Sequence, residues 1–200
     1  MGEQAEKWAS FVLANLLWVL FVIPVVTIPA ATAGVFAVMS EQIRGKPPQP
    51  FQRFFGAMRR LWLKATVVAL VDLLVGGLIA VNLSILGQMQ AFDVMRILAS
   101  SATLFVGLAL LLTNLYLWSL MVISDMPLRQ LIEMSYKLMF AHPLRSGGVL
   151  IAAAVPVIIS LLLPRAFFLL VTVSTCVFVI NRGTWPIIRE HIPETTLTYL

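Results

Sequence analysis

The sequence predicts an all-α membrane protein, a bundle of five transmembrane helices of which the first is broken by proline, with two amphipathic interfacial helices on the cytoplasmic side. Three observations predict this fold. Of the 200 residues, 60% are hydrophobic and 12% are charged, which is about half the charged fraction of a soluble domain. Long apolar runs recur along the chain, and basic residues cluster in alternate connections between them. Residues 1–200 are expected to form a single integral membrane domain.

Five apolar stretches supply the predicted spans. A hydrocarbon layer of about 30 Å takes about 20 helical residues to cross. The stretches that reach or approach this length are residues 11–39, 62–87, 97–123, 147–163 and 166–180. The last two are short, and the Leu-Pro-Arg sequence between them predicts a tight helical hairpin. No internal repeat divides the chain, and no stretch alternates as a membrane barrel strand does.

The basic residues predict the orientation. If the N-terminus lies outside and the C-terminus inside, eleven of the fourteen Lys and Arg residues fall in the inner connections. Lys7, Arg96 and Arg165 fall outside. Such a bias marks the inner side as cytoplasmic, and it requires an odd number of crossings. Because topology explains the net charge of +5, nucleic acid is not an expected partner.

Two of the inner connections are predicted to be amphipathic helices. The aromatic side chains of residues 50–62 share one face, and the apolar side chains of residues 126–140 do the same. These helices form either a structural collar around the bundle or a docking surface for a cytoplasmic or membrane partner. The basic residues of that docking surface are Arg53, Arg59, Arg60, Lys64, Arg129, Lys137 and Arg145.

Asp72 is the clear ionisable residue inside a predicted span. It follows Trp62 by ten residues, so it lies roughly 15 Å deep, near the middle of the bilayer. The same helix face carries small residues, namely Ala65, Ala69, Gly76, Ala80 and Ser84. Such a face packs closely against another helix, so the carboxyl is expected to face protein or a cavity. It either fixes helix register, binds an ion, proton or small solute, or contacts a partner's helix.

Pro24 and Pro29 interrupt the first span. Each proline lacks an N–H group and clashes with the carbonyl four residues before it, so the helix is predicted to kink or unwind there. Broken backbone at membrane depth requires a covering of protein or a water-filled cavity. Asn114 in the third span and Thr27 in the first are predicted at the depth of Asp72. The predicted intramembrane polar site therefore combines these three side chains with carbonyls freed by the two prolines.

Enzymatic chemistry is not predicted. His142 and His191 lie in inner connections without the spacing of metal ligands, so neither a metal site nor a cofactor is expected. The sequence contains no zinc motif, P-loop or nucleophile elbow. The single cysteine, Cys176, lies in an apolar stretch and is expected to be a buried or lipid-facing residue.

Two smaller predictions concern the rest of the chain. Asn15 and Asn82 are expected to pair across the first two spans, nearer the outer face. Residues 181–200 are expected to form a short cytoplasmic tail with Trp185 at the membrane interface.

Two stretches carry a resemblance to a known family. The run NLLWVLFVIPVVTIPAATAGVFAVM (15–39), followed by RGKPPQPFQRFF (44–55), resembles the start of YesL-like proteins, a bacterial family of multi-spanning membrane proteins of roughly this length. The later PLRQLIEMSYKLMFAHPLRSGGVL (127–150) is similar to an inner connection of that family. Pro29 departs from the family pattern, in which glycine is expected after Thr-Ile. The resemblance implies the bacterial plasma membrane and a link to carbohydrate uptake, and it implies no catalytic or binding residues.

The sequence thus leads to one interpretation of function and one alternative. The first is a non-catalytic accessory or regulatory membrane protein associated with carbohydrate uptake. It would act through helix contacts in the bilayer and docking at the cytoplasmic collar. Its expected partners are the lipid bilayer, the membrane subunits of a sugar transporter and a second copy of the chain. The alternative is a small transporter or channel that uses the polar site around Asp72.

Overall fold

The computed structural model describes residues 2–47, 49–88, 94–162 and 171–192, and within these ranges every element is helical. A short 3₁₀ turn, Val25–Thr27, separates the first two of the helices. The seven helices are α1 (Gly2–Val22), α2 (Ile28–Ile43), α3 (Pro50–Gln88), α4 (Val94–Ile123), α5 (Leu128–Ala141), α6 (Pro143–Leu162) and α7 (Val173–His191).

Among the described residues, four helical segments are long and apolar enough to cross a membrane, which agrees with the predicted all-α membrane class. They are Val25–Ile43, Pro50–Gln88, Val94–Ile123 and Pro143–Leu161. The predicted fifth span, 166–180, begins outside the described residues, as does the short connection before it. Its second half belongs to α7, which continues well past the predicted end of the span.

The chain breaks at Pro24, as the sequence predicts, but it also reverses direction there. Pro24 has extended backbone angles (φ −82°, ψ 101°) between α1 and the 3₁₀ turn. The Trp18 indole N–H donates to the Thr32 hydroxyl across 3.2 Å. Near the other end, the Gln42 amide donates to the Lys7 carbonyl across 3.1 Å. Helices α1 and α2 are therefore the antiparallel arms of a hairpin.

The prediction that 11–39 crosses the membrane once, with the N-terminus on the far side, differs from this path. Lys7 lies beside the end of α2 and not at the opposite end of the bundle. The physical reason lies in the two prolines. Pro24 ends α1 with an extended residue, whereas Pro29 occupies the first turn of α2, where no intrahelical N–H bond is required.

The remaining helices pack around this hairpin. Helix α7 runs antiparallel to α1, since Asn15 bonds to Ser174 and the rings of Phe11 and Phe178 lie 5.1 Å apart. Helix α6 is antiparallel to α7 in turn. Helix α4 runs in the same direction as α2, and Phe36 of α2 stacks on Trp118 of α4. One end of the bundle, here called the basic end, thus collects the starts of α1 and α6 and the ends of α2, α4 and α7.

Helix α3 contains 39 residues and is about 58 Å long, far longer than a single crossing requires. Its first half packs in the core, where the buried side chains lie at helical spacing. They are Phe54, Ala57, Leu61, Ala65 and Val68. The predicted interfacial helix over residues 50–62 is the start of this continuous helix and crosses over α2. Beyond Val68, α3 leaves the core and runs antiparallel to the first half of α4.

The second predicted amphipathic helix corresponds to α5. It buries Leu131, Leu138 and Met139 against the neighbouring helices. The exposed face carries an ion pair between Glu133 and Lys137, with an oxygen–nitrogen distance of 2.7 Å. The hydrogen bond from Lys137 lowers the pKa of Glu133, as expected for an ion pair one helical turn apart.

The crossing of α2 and α3 depends on Gly34. A β-carbon at this position would lie 2.7 Å from the ring of Phe54, which is completely buried. Because the ring has no room to move, we expect Gly34→Ala to destabilise the protein by roughly 1–3 kcal/mol. The measurement is the thermal unfolding midpoint in detergent.

The matched control is Gly56→Ala on α3, where an added β-carbon meets nothing within 4 Å. This variant should unfold at or slightly above the wild-type temperature, since alanine favours a helix. Equal midpoints for the two variants would contradict the close α2–α3 crossing.

Candidate functional site

Hydrogen bonds within the turn between α1 and α2 occupy several of its polar groups. The Thr27 hydroxyl bonds to the carbonyls of Phe21 and Pro24, and the Ile28 N–H bonds to the Val25 carbonyl. The carbonyl that Pro29 was predicted to free is thus occupied. Within the described part of the chain, the Thr27 hydroxyl bonds inside the turn, and no hydrogen bond joins it to Asp72 or Asn114.

The predicted pairing of Asp72 with Asn114 is present. The Asn114 amide donates to a carboxylate oxygen of Asp72 across 2.9 Å, and to the Leu110 carbonyl of its own helix across 3.2 Å. The Asn114 side-chain oxygen is buried and has no hydrogen-bond partner among the described residues. The depth of each residue in its span was therefore enough to predict that Asp72 and Asn114 are neighbours. The pair retains one acceptor without a hydrogen bond among the described residues.

This pair lies at the base of a two-helix arm, formed by residues 69–88 of α3 and 94–111 of α4. The buried residues of α3 end at Val68, and those of α4 begin at Leu112. Along the arm the two helices contact each other through Ile79 and Gly107. Large apolar side chains of the arm are exposed, including Leu73 (73%) and Phe105 (64%). Twenty helical residues span about 30 Å, so the arm is long enough to cross a bilayer.

Nearer the arm's tip, Asn82 donates to Thr103 across 2.6 Å. The sequence had suggested that Asn82 pairs with Asn15, and this pair is not formed. Asn15 is fully buried, and its side-chain oxygen accepts hydrogen bonds from the backbone N–H (3.0 Å) and the hydroxyl (3.3 Å) of Ser174. Asn15 therefore joins α1 to α7 rather than to the second span.

Several of the predicted docking residues are held by contacts within the chain. Arg53 lies 2.6 Å from the buried Glu41 carboxylate. Arg60 reaches Asp125 at 2.8 Å, and Lys64 donates to the Met126 carbonyl across 2.9 Å. These residues fasten α3 to the ends of α2 and α4. The other predicted docking residues are exposed at the surface; they are Arg59, Arg129, Lys137 and Arg145.

A cavity of about 100 Å³ lies among these charges at the basic end. Its lining includes Glu41 together with the guanidinium groups of Arg44, Arg53 and Arg60. Burial, reinforced by the positive charge of Arg44, lowers the pKa of Lys46 beside this cavity. The fold thus gathers three arginines and one carboxylate around the cavity.

A buried polar cluster that the sequence did not predict ties three helices together. The Ser119 hydroxyl of α4 donates to the Asn181 side-chain oxygen across 2.9 Å, and the Asn181 amide donates to the Phe36 carbonyl of α2 across 3.1 Å. Thr184 completes the cluster with a 3.1 Å bond to Ser119. The available signal was the spacing of Asn181 and Thr184 on one helix face.

The prediction of a cytoplasmic tail that begins at residue 181 is therefore wrong for residues 181–191. Residues 181–191 continue α7 and pack in the core, with Ile187 and Ile188 almost completely buried. Trp185 lies beneath the Arg44 guanidinium, 5.9 Å from it. Residues 193–200 lie outside the described residues. In the sequence, Pro186 and two arginines are typical of the end of a span. The continuation of α7 was therefore not predicted.

One group of possible metal ligands lies outside these sites. His142, Glu190 and His191 bring one ligand atom each to within 4.8 Å of one another. The sequence had suggested no such spacing, because the two histidines are far apart along the chain.

The comparisons with known proteins add no activity to this picture. Fold and composition define a helical protein with four membrane-spanning candidates. Residues 11–83 match a family model described as "Protein of unknown function, DUF624". The match covers most of the hairpin, the cavity-lining part of α3 and Asp72. Neither a curated protein nor a solved structure matches the chain.

The buried cluster predicts a stability difference between two asparagines. Asn181→Leu removes the hydrogen bonds that join α7 to α2 and α4 and leaves the buried Phe36 carbonyl without its partner. We expect a loss of roughly 1–3 kcal/mol, measured by thermal or denaturant unfolding in detergent.

Asn82→Leu is the matched control, since Asn82 is exposed and its bond to Thr103 stays within the arm. Its cost should stay below about 1 kcal/mol, the scale of a single bond between membrane helices. If Asn82→Leu proved the more damaging change, α7 would not be anchored as described.

Proposed function

We propose that this protein is a non-catalytic accessory or regulatory membrane protein that binds a helix of another membrane protein through its α3–α4 arm. The observation that carries the proposal is the incompletely satisfied polar pair at the base of a largely apolar arm. Among the described residues, two helices form the arm, and most of its surface is open to lipid or to other helices. Asp72 and Asn114 lie at its base with one unused acceptor.

The chemistry of the pair indicates the kind of partner. Among the described residues, the half-buried Asp72 carboxylate accepts a side-chain hydrogen bond from Asn114 alone, and further donors stabilise a carboxylate in an apolar environment. A transmembrane helix carrying a Ser, Thr, Asn or Gln side chain at the same depth would donate to this carboxylate. Exposed leucine and phenylalanine side chains along the arm would supply the packing. The resemblance to YesL-like proteins favours the membrane subunits of a sugar transporter as the source of that helix.

We further propose that the basic end faces the cytoplasm of a bacterium, with the protein in the plasma membrane. In this topology α3, α4, α6 and α7 cross the membrane, and α1 and α2 form a hairpin that enters and returns on the cytoplasmic side. This arrangement replaces five single crossings and an external N-terminus. Lys7 then joins the inner basic residues, so the inward bias of Lys and Arg rises from eleven of fourteen to twelve.

The exposed basic residues of this end support a second contact. Arg59, Arg129 and Arg145 are exposed, and their side chains face away from the core. An acidic cytoplasmic segment of the same partner would complement them. We therefore propose that the collar is both structural and a docking surface. Arg53, Arg60 and Lys64 hold the helices together, and the exposed basic residues contact the partner.

The alternative function is a small transporter or channel. The Asp72 carboxylate and the unused Asn114 oxygen form a pair of oxygen ligands of the kind that hard cations prefer. This feature favours a cation as the transported species. The accessory role is preferred because it also accounts for the length and exposure of the arm.

The proposal predicts that removing the polar pair weakens partner binding without unfolding the protein. In Asp72→Leu/Asn114→Leu both polar partners become apolar, so no buried group is left unpaired. Recovery of the partner from native membranes should fall roughly five-fold, the equivalent of about 1 kcal/mol for a polar contact between membrane helices. Quantitative mass spectrometry of proteins co-purified with a tagged chain measures it.

The control is Asn82→Leu/Thr103→Val, which replaces a polar pair that is complete within the arm. It should leave recovery unchanged. Equal recovery for wild type and both double variants would remove the arm from the binding mechanism. Na⁺ uptake into liposomes by the protein alone, abolished by Asp72→Asn, would establish the transporter instead.

A further inference from the structure

Both histidines of the chain meet at one place. The sequence contains two in all. His142 lies at the junction of α5 and α6, and His191 is the last residue of α7. Their ring centroids are 5.1 Å apart with the planes at 77°. The antiparallel packing of α6 against α7 produces this meeting, since it sets the start of one beside the end of the other.

Glu190 adds a carboxylate to the pair. One ligand atom from each of the three residues lies within 4.8 Å of the other two. A tetrahedral Zn²⁺ ion with bonds of about 2.0–2.1 Å sets its ligand atoms about 3.3 Å apart. The remaining approach is at most about 1.5 Å for any pair. Glu190 and His191 are exposed at a helix end, so rotation of their side chains supplies this movement.

In each of the two rings, one nitrogen atom is available to a metal. His191 Nδ1 lies 3.0 Å from the Ile187 carbonyl, and a carbonyl only accepts, so Nδ1 carries the proton. The lone pair is then on Nε2, as in metal-binding histidines oriented by a backbone carbonyl. His142 Nε2 is buried and has no hydrogen-bond partner in the described ranges. A buried ring nitrogen without a hydrogen-bond partner destabilises the fold, and coordination of a cation by that nitrogen would remove this cost.

We propose that His142, Glu190 and His191 form a binding site for a divalent transition-metal cation, with Zn²⁺ as its probe. Two imidazole nitrogens and one carboxylate oxygen suit Zn²⁺, Fe²⁺ or Ni²⁺, whereas Mg²⁺ and Ca²⁺ take oxygen ligands. Three protein ligands leave a fourth position for water. The bound ion fastens the end of α7 to the α5–α6 junction at the basic end. This site is separate from the arm and independent of the proposed partner.

The test uses the full chain in detergent, purified through a tag without histidine and freed of metal with a chelator. Calorimetric titration with Zn²⁺ should show one equivalent bound and an increase in the thermal unfolding midpoint. His142→Ala and His191→Ala should each weaken binding by more than the roughly ten-fold that loss of an outer-shell contact costs. The double variant should lose both binding and the thermal shift.

Two control variants separate this site from other metal ligands. Glu190→Gln should weaken binding, while Glu133→Gln, which removes an exposed carboxylate paired with Lys137, should not. Cys176→Ser removes the single thiol and should also bind as wild type does.

X-ray absorption of the Zn²⁺-loaded wild type provides a readout that needs no variant to fold, and it should show two imidazole ligands. Absence of imidazole from that spectrum, a wild type that binds less than one equivalent, or a double histidine variant that binds like wild type would each overturn the proposal.

Discussion

The reversal of the chain at Pro24 is the constraint on which the rest of the structure depends. It divides one long apolar stretch into two antiparallel helices, α1 and α2, that pack against each other. Helix α1 then provides a surface for α7, where Asn15 bonds to Ser174 inside the core. The reversal also returns Lys7 to the end of α2. A straight first helix would remove the contacts between α1 and α7. It would also place Lys7 far from the basic residues at the end of α2.

The second constraint is the length of α3. Its first half provides the core with Phe54 and Leu61, and its second half leaves the core to form the arm with α4. Asp72 lies just beyond the point of departure. A polar pair in the middle of a closed bundle would be satisfied by the bundle itself. At the base of an open arm, the Asp72 carboxylate of the same pair stays partly exposed to a neighbouring molecule.

The sequence predicted the helical class, the proline break, α5 and the pairing of Asp72 with Asn114, because each depends on local pattern or on depth. It did not predict the hairpin, since an apolar run specifies burial but not the direction of the chain after a break. It also missed the continuation of α7, where Pro186 and Arg189 are typical of a span's end. The meeting of His142 with His191 depends on tertiary packing, which no spacing along the chain reveals.

The central claim is that α1 and α2 form a hairpin, and pulsed electron paramagnetic resonance tests it most directly. Spin labels at Lys7→Cys and Gln42→Cys, in a Cys176→Ser background, report the distance between the two helix ends. The hairpin predicts a single short distance, below about 20 Å, because the unlabelled groups are in hydrogen-bond contact. A continuous helix across residues 7–42 would place them about 52 Å apart, and that distance would contradict the account.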